Sequence, residues 1–142
     1  MTTTVKPKIT VEALVNAPVE KVWQVWTTPY DITKWNSPSP EWHTPRAKHE
    51  LKVGGNFNYR MEAKDGSLGF DFGGVFDLVN PNQQLNYTMD DGRKVNISFS
   101  AAAGETKIVQ TFEAENENSL ELQRAGWQGI LNSFKNYIES NN

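Results

Sequence analysis

A long amphipathic segment near the C-terminus most constrains how this 142-residue chain can fold. Residues 119–138 read SLELQRAGWQGILNSFKNYI, and their large apolar side chains recur at the spacing of one face of an α-helix. This apolar face comprises Leu120, Trp127, Leu131, Phe134 and Ile138. The other side carries Glu121, Gln128, Lys135 and Glu139. A helix with one apolar face must bury it against another part of the protein, so the preceding chain has to supply a cover.

Most of the preceding chain alternates apolar and polar residues with period two, which is typical of strands buried on one face. We expect a first strand at residues 9–15 and six more strands between residues 45 and 112. Turn sequences such as Lys-Asp-Gly at 64–66 and Asp-Asp-Gly at 90–92 separate them. Short turns of this kind join antiparallel neighbours, so the six later strands should form a meander.

The fourth of these strands has an irregular centre. Phe70, Phe72, Phe76 and Leu78 are predicted to share its apolar face. The glycine pair at 73–74 predicts a bend or bulge in the middle of the strand.

One or two short helices should lie between the first strand and the meander. Pro18 is favoured at a helix start, and Val19, Val22, Trp23 and Trp26 then follow at helical spacing. Residues 30–35 could form a second helix, followed by a proline-rich loop. Residues 1–7 read as a flexible tail, and the whole chain, 1–142, as one domain.

Two tryptophans, Trp35 and Trp42, bracket the proline-rich loop. They could plug an edge of the core or line the mouth of a cavity, and the sequence leaves both interpretations open.

Two glycines of the last helix also need a structural reason, because glycine costs about 1 kcal/mol relative to alanine inside a helix. Gly126 borders the apolar face, where close helix–sheet approach or room for a ligand would explain it. Gly129 lies nearer the other side and could let a loop approach.

Composition and motifs exclude several functions. The net charge of −3 argues against a general nucleic-acid binder. The absence of cysteine removes disulfides, thiolate nucleophiles and cysteine-based zinc sites. Neither a signal peptide nor a run of transmembrane length is seen, so we expect a cytoplasmic protein without membrane insertion. His43 and His49 lack a metal-ligand spacing, and no catalytic or phosphate-binding motif is present, so no metal, cofactor or catalytic residue is assigned.

Four short motifs in a fixed order resemble those of a known family. They are APVEKVW at 17–23, GGNFNY at 54–59, GGVF at 73–76 and GWQGIL at 126–131. Together they resemble the SRPBCC superfamily, whose START-like fold is called the helix grip, and most closely the activator of heat-shock protein 90 ATPase homologue 1-like proteins. The resemblance covers nearly the whole chain. Members often have a doubled tryptophan near the end of the second helix, where this sequence has Lys34-Trp35-Asn36.

The resemblance implies an α+β fold in which a seven-stranded, curved antiparallel sheet wraps around a long C-terminal helix. It also implies a hydrophobic cavity, in which many relatives bind lipids or other apolar molecules. We therefore predict the residues that line such a cavity from the apolar faces of the strands and the helix. They are Trp23, Trp35, Phe57, Tyr59, Phe70, Phe72, Tyr87, Phe99, Gln110, Trp127 and Ile130.

Two polar residues fall on the apolar side of their strands by alternation. His49 and Gln110 could each form a structural hydrogen bond or orient a ligand in the cavity. The leading prediction is a non-enzymatic binder of a small hydrophobic or aromatic molecule. The alternatives are a protein-interaction module acting on a chaperone or another protein, and a cyclase- or dehydratase-like enzyme with His49 as its proton-transfer residue.

Overall fold

The computed structural model describes residues 7–140, which form seven strands and three helices. The strands are β1 Lys8–Val15, β2 Trp42–His49, β3 Asn56–Ala63, β4 Gly69–Asn80, β5 Gln84–Met89, β6 Lys94–Ala102 and β7 Glu105–Glu113. The helices are α1 Val19–Thr27, α2 Pro29–Trp35 and α3 Leu120–Ser140. Both short helices that the sequence suggested after the first strand are present.

All seven strands form one antiparallel sheet in the order β1-β7-β6-β5-β4-β3-β2. The strands from β2 to β7 are sequential neighbours, as expected for a meander, and β1 joins the sheet beside β7. The curved sheet packs its apolar face against α3, with α1 and α2 closing one end. This arrangement is the helix-grip fold that the family resemblance implied.

The core forms where the apolar face of α3 meets alternate residues of the strands. Leu131, Phe134 and Ile138 of α3 are almost completely buried. The strands contribute fully buried side chains at the alternating positions Ile9, Val11, Val15, Val95, Ile97, Ile108 and Phe112. Trp26 and Trp35 pack edge-on against Phe134 and connect the two short helices to this core.

Hydrogen bonds stabilise both ends of α3. The Ser119 hydroxyl accepts a hydrogen bond from the Leu122 backbone N–H and so caps the start of the helix. Near the other end, Lys135 Nζ donates to the Leu14 carbonyl oxygen and to Glu139. The polar face of the helix therefore lies beside the edge strand β1.

Two predictions about burial were wrong. The strand register shifts between Phe76 and Leu78, not at the glycine pair at 73–74, so Leu78 leaves the apolar face and is 38% exposed. Val79 packs against the core instead. Leu120 is also exposed, because it occupies the first position of α3, beyond the sheet.

The ends of two predicted segments also differ. Strand β2 begins at Trp42, three residues before the alternation of apolar and polar residues begins in the sequence. The register of β2 on β3 is irregular between His43 and Arg46, so the first residues of the strand do not follow that alternation. Most of the predicted tail, residues 1–6, lies outside the described residues, whereas the Pro7 carbonyl oxygen accepts a hydrogen bond from Ala114 N. Within residues 7–140, no helix combines the length and the apolar character needed to cross a membrane.

Candidate functional site

An open groove of about 470 Å³ lies between the N-terminal half of α3 and the strands β3 to β5. We call it the outer groove. Its apolar lining consists of Pro38, Met61, Phe70, Phe72, Met89, Leu122, Trp127 and Ile130, together with Gly73 and Gly126. Its polar lining consists of Asp71, Asp90, Asp91, Arg93, Glu115, Asn118 and Gln123. The groove therefore combines an apolar wall with a charged rim.

A second, smaller space of about 50 Å³ lies deeper, and we call it the inner space. Phe72, Trp127 and Ile130 line both spaces and separate them. The inner lining also includes Trp26, Trp35, Asn36, Phe57, Tyr59, Phe76, Leu85, Tyr87, Ile97 and Gln110. This volume accommodates a few water molecules or one small functional group. The chain's own aromatic rings thus fill most of the interior, and the larger free volume is at the outer groove.

The two glycines of α3 have different structural roles. A Cβ atom on Gly126 would meet no atom within 4 Å, so the glycine widens the outer groove. A Cβ atom on Gly129 would collide with the carbonyl oxygen of Pro38. Gly129 therefore lets the proline-rich loop approach the helix, as the sequence suggested. For Gly126 the structure favours free space over close helix–sheet approach.

Polar side chains lie at and beside the inner space. Gln110 and Tyr87 both line it and are more than 90% buried, and the Gln110 amide partly opposes the rise in the pKa of Tyr87. The Tyr59 hydroxyl and His49 Nδ1 are 2.8 Å apart. Burial raises the pKa of both tyrosines well above the ordinary value of 10.0, so both phenols are neutral at pH 7.

His49 does not line the inner space itself and touches it through Tyr59 and Phe76, which do. It is half-buried, its ring packs edge-on against Phe76, and it is not among the residues that line either space. Burial lowers the pKa of His49, and a hydrogen bond with the Thr27 backbone partly opposes this effect. A role as a proton-transfer residue on a bound molecule therefore lacks a direct path in this geometry.

The charged rim of the outer groove is held by local contacts. Arg93 Nε donates to Asp91 Oδ2 at 2.8 Å, and its Nη1 donates to the Glu113 carbonyl oxygen at 3.3 Å. The Glu115 carboxylate accepts hydrogen bonds from the backbone N–H of the loop before α3. The buried Gln123 side chain bonds to the same loop and fixes it on the helix. These contacts hold the polar groups of the rim in place.

The predicted cavity residues divide into two groups. Nine of the eleven line one or both spaces, and they are Trp35, Phe57, Tyr59, Phe70, Phe72, Tyr87, Gln110, Trp127 and Ile130. Trp23 and Phe99 do not line either space, because their rings pack against each other in the core at 5.4 Å. Whether the nine residues bind a ligand stays a prediction.

Of the two tryptophans that bracket the proline-rich loop, Trp35 was also predicted to line the cavity, whereas Trp42 was left open between a plug of the core and the mouth of a cavity. Trp35 is buried and lines the inner space. Trp42 is half-buried and contacts Phe70 edge-on at 5.9 Å, beside the outer groove. Met61 and Met89 also line the groove. Both lie on the apolar faces of their strands by alternation, so the sequence pattern could have identified them as lining residues. Arg93 and its acidic neighbours could not be recognised as site residues from the sequence. Acidic residues are common in turns for local backbone reasons, so their presence there did not indicate a binding site.

Metal-binding side chains do not converge within residues 7–140, where no group of three or more His, Asp or Glu residues could hold an ion. The site offers apolar contact and aromatic stacking, with neutral hydrogen-bonding groups at the inner space and charged groups at the rim of the outer groove. Such a lining is typical of sites that hold a small molecule.

Comparisons with known proteins agree with this fold. The family model described as "Activator of Hsp90 ATPase homolog 1-like protein" matches residues 16–139. A solution structure of the AHSA1-like protein from Aeromonas hydrophila is 44% identical, with a TM-score of 0.89, and the match covers 95% of this chain and 94% of that one. A solution structure of a protein from Cytophaga hutchinsonii is 54% identical, with a TM-score of 0.81, covering 94% and 93% of the two chains.

No curated protein matches the sequence significantly. The family model nevertheless spans most of the chain, and the two solved relatives match it over nearly their whole length. Membership of the SRPBCC superfamily follows from the same matches. The chain therefore belongs to the activator of Hsp90 ATPase homologue 1-like family.

Proposed function

We propose that this protein binds a small hydrophobic or aromatic molecule in the outer groove, between α3 and the strands β3 to β5. The observation that carries the proposal is the free volume of about 470 Å³ beside Gly126. A glycine inside a helix destabilises it, and here the missing side chain leaves space instead of admitting a neighbouring atom. The volume lies within the range of sites for small molecules.

The lining of the groove supports the same conclusion. Phe72 and Trp127 present aromatic rings, and Met61 and Met89 present flexible thioethers that adapt to different ligand shapes. Phe70 is 46% exposed at the mouth, so a bound apolar molecule would also cover a ring that now faces water. Removing apolar area from water contributes about 25 cal/mol per Å², less the cost of ordering the ligand.

A titration with the neutral fluorescent probe N-phenyl-1-naphthylamine tests the proposal. We expect saturable fluorescence enhancement with the wild-type protein and its loss in Gly126→Leu, whose side chain would occupy the groove. Asn136→Leu is the matched control, because it adds the same side chain at an exposed position of α3. No saturable binding to the wild-type protein, or equal binding to all three proteins, would contradict the proposal.

A second candidate function is the binding of a protein partner, such as a chaperone, at the mouth of the groove. The specific support is that Leu122 is 59% exposed and lies at the groove together with the exposed Phe70. A chaperone ATPase assay with the wild-type protein and Leu122→Ser separates the two functions. Stimulation that Leu122→Ser abolishes would favour the partner, whereas no stimulation by the wild-type protein would argue against it.

A further inference from the structure

The inner space presents hydrogen-bonding groups in an otherwise apolar wall. Gln110 is 5% exposed and lies on β7, near the Tyr87 hydroxyl of β5. A primary amide offers two donor hydrogens and one acceptor oxygen, so an interaction with Tyr87 leaves capacity for another partner. A hydroxyl or carbonyl group that entered this space would find both a donor and an acceptor.

No charged side chain is present among the described residues that line the inner space. Tyr59 and Tyr87 are phenols that are neutral at pH 7, and burial raises their pKa further above the ordinary value of 10.0. His49, which bonds to Tyr59, is kept neutral at pH 7 because burial lowers its pKa. A ligand carboxylate in this space would lose its hydration without gaining a counter-charge, which is strongly unfavourable.

The outer groove also disfavours an anion. Four carboxylates, those of Asp71, Asp90, Asp91 and Glu115, line it together with one guanidinium, that of Arg93. The guanidinium already donates to Asp91 and to a backbone carbonyl oxygen. A carboxylate in the groove would therefore meet an excess of like charge, whichever way the ligand was oriented.

We propose that the site selects uncharged molecules with an aromatic or apolar body and one hydroxyl or carbonyl group, which enters the inner space beside Tyr87 and Gln110, and that it rejects carboxylates such as fatty acids. The body of the ligand occupies the outer groove, and its polar group reaches the inner space beside Phe72, Trp127 and Ile130, which line both spaces. This inference rests on the proposed function and names the class of molecule bound.

Three matched probes test this selectivity at pH 7, namely naphthalene, 2-naphthol and 2-naphthoate, each measured by displacement of N-phenyl-1-naphthylamine. They share one ring system and differ in having no polar group, a neutral hydroxyl or a carboxylate. We expect 2-naphthol to bind about fivefold more tightly than naphthalene, as one additional hydrogen bond allows. We expect 2-naphthoate to bind at least about tenfold more weakly than 2-naphthol.

Two variants test whether the hydroxyl group of 2-naphthol lies beside Tyr87 and Gln110. Gln110→Leu removes the amide with little change in volume, and Tyr87→Phe removes only the phenolic oxygen. In both variants the ratio of the 2-naphthol affinity to the naphthalene affinity should fall to about one, whatever the naphthalene affinity itself becomes. Since Tyr87→Phe keeps the ring and its packing, it provides a folded variant even if Gln110→Leu does not fold.

The outcomes separate this inference from the proposed function. Equal affinity for 2-naphthoate and 2-naphthol, or a 2-naphthol preference that survives in both variants, would overturn the selectivity alone. Binding of naphthalene without any preference for 2-naphthol would do the same. If none of the probes, including the fluorescent one, bound to the wild-type protein, the proposed function would fail and this inference with it.

Discussion

The indole ring of Trp127 stacks on the ring of Phe112, with centroids 4.0 Å apart and planes inclined by only 10°. Phe112 is fully buried on β7, whereas Trp127 is partly exposed and lines both the outer groove and the inner space. The pair therefore joins α3 to the sheet at the point where the filled core ends and the free volume begins.

Replacing Trp127 with alanine should lower the free energy of unfolding by about 2–4 kcal/mol, because the stacked ring is lost and a cavity remains. Urea denaturation at constant pH measures the change. Trp127→Phe should retain much of the stability, since a smaller ring can still pack on Phe112. A loss below about 0.5 kcal/mol in Trp127→Ala would show that the stack does not hold the helix on the sheet.

The two helix glycines should respond oppositely to alanine. Gly126→Ala should raise the free energy of unfolding by about 0.5–1 kcal/mol, because the added methyl group meets no atom and alanine favours the helix. Gly129→Ala should lower it, because the Pro38 carbonyl oxygen must move away. Thermal or urea unfolding of both variants checks this contrast. Stabilisation by both substitutions would mean that the loop does not pack closely on α3.

Protonation of His49 should destabilise the protein at mildly acidic pH. Burial lowers its pKa below the ordinary value of 6.5, so the unfolded chain binds a proton at higher pH than the folded one. The corresponding stability is present above pH 6.5 and is lost as the pH falls towards the folded-state pKa. In His49→Gln, the decrease in stability between pH 7 and pH 5 should be smaller than in the wild-type protein. If the stability of the two proteins decreased equally between pH 7 and pH 5, protonation of His49 would not be the cause.

The hydrogen bond from the Tyr137 hydroxyl to Asp31 Oδ1, 2.7 Å long, links α3 to α2. The bond to the carboxylate raises the pKa of Tyr137 to about 12, from an ordinary value of 10.0. Its stabilising effect is fully present below pH 10 and is lost as the pH rises towards 12. A pH titration followed by tyrosinate absorbance should show that the pKa of one tyrosine is closer to 10 in Asp31→Asn than in the wild-type protein. An unchanged titration would exclude the link.

Hydrophobic periodicity was sufficient to predict the strands, the helices and the meander of this chain, whereas the curved seven-stranded sheet of the helix-grip fold was implied by the family resemblance. The alternation from Phe57 to Ala63 and the helical spacing of Leu131, Phe134 and Ile138 each identify a buried face without further information. The displacement of Leu78 could not be predicted, because the register shift beside it arises from pairing with β5 and not from its own neighbours. Leu120 was wrongly predicted to be buried, because periodicity does not reveal where the covering sheet ends.

The candidate site was predicted in part. Alternation brought Tyr87 and Gln110 to the apolar face of the sheet, and both line the inner space. It could not exclude Trp23 and Phe99 from the lining, because a residue that points inward can meet either free volume or another ring. The groove also depends on the curvature of the sheet, because this curvature places the turn around Arg93 close to the start of α3. No local sequence pattern predicts that these two segments lie close together.

A small apolar molecule is expected to bind in the outer groove, and mapping the backbone amide resonances during a titration with naphthalene tests this claim residue by residue. The changes should be saturable and should concentrate at residues 70–73, 89–93 and 122–130, which contain most of the groove lining. In Gly126→Leu they should be lost, whereas Asn136→Leu should reproduce the wild-type pattern. Absence of saturable changes, or changes centred on the separate surface groove around Tyr30 and Lys48, would contradict the claim.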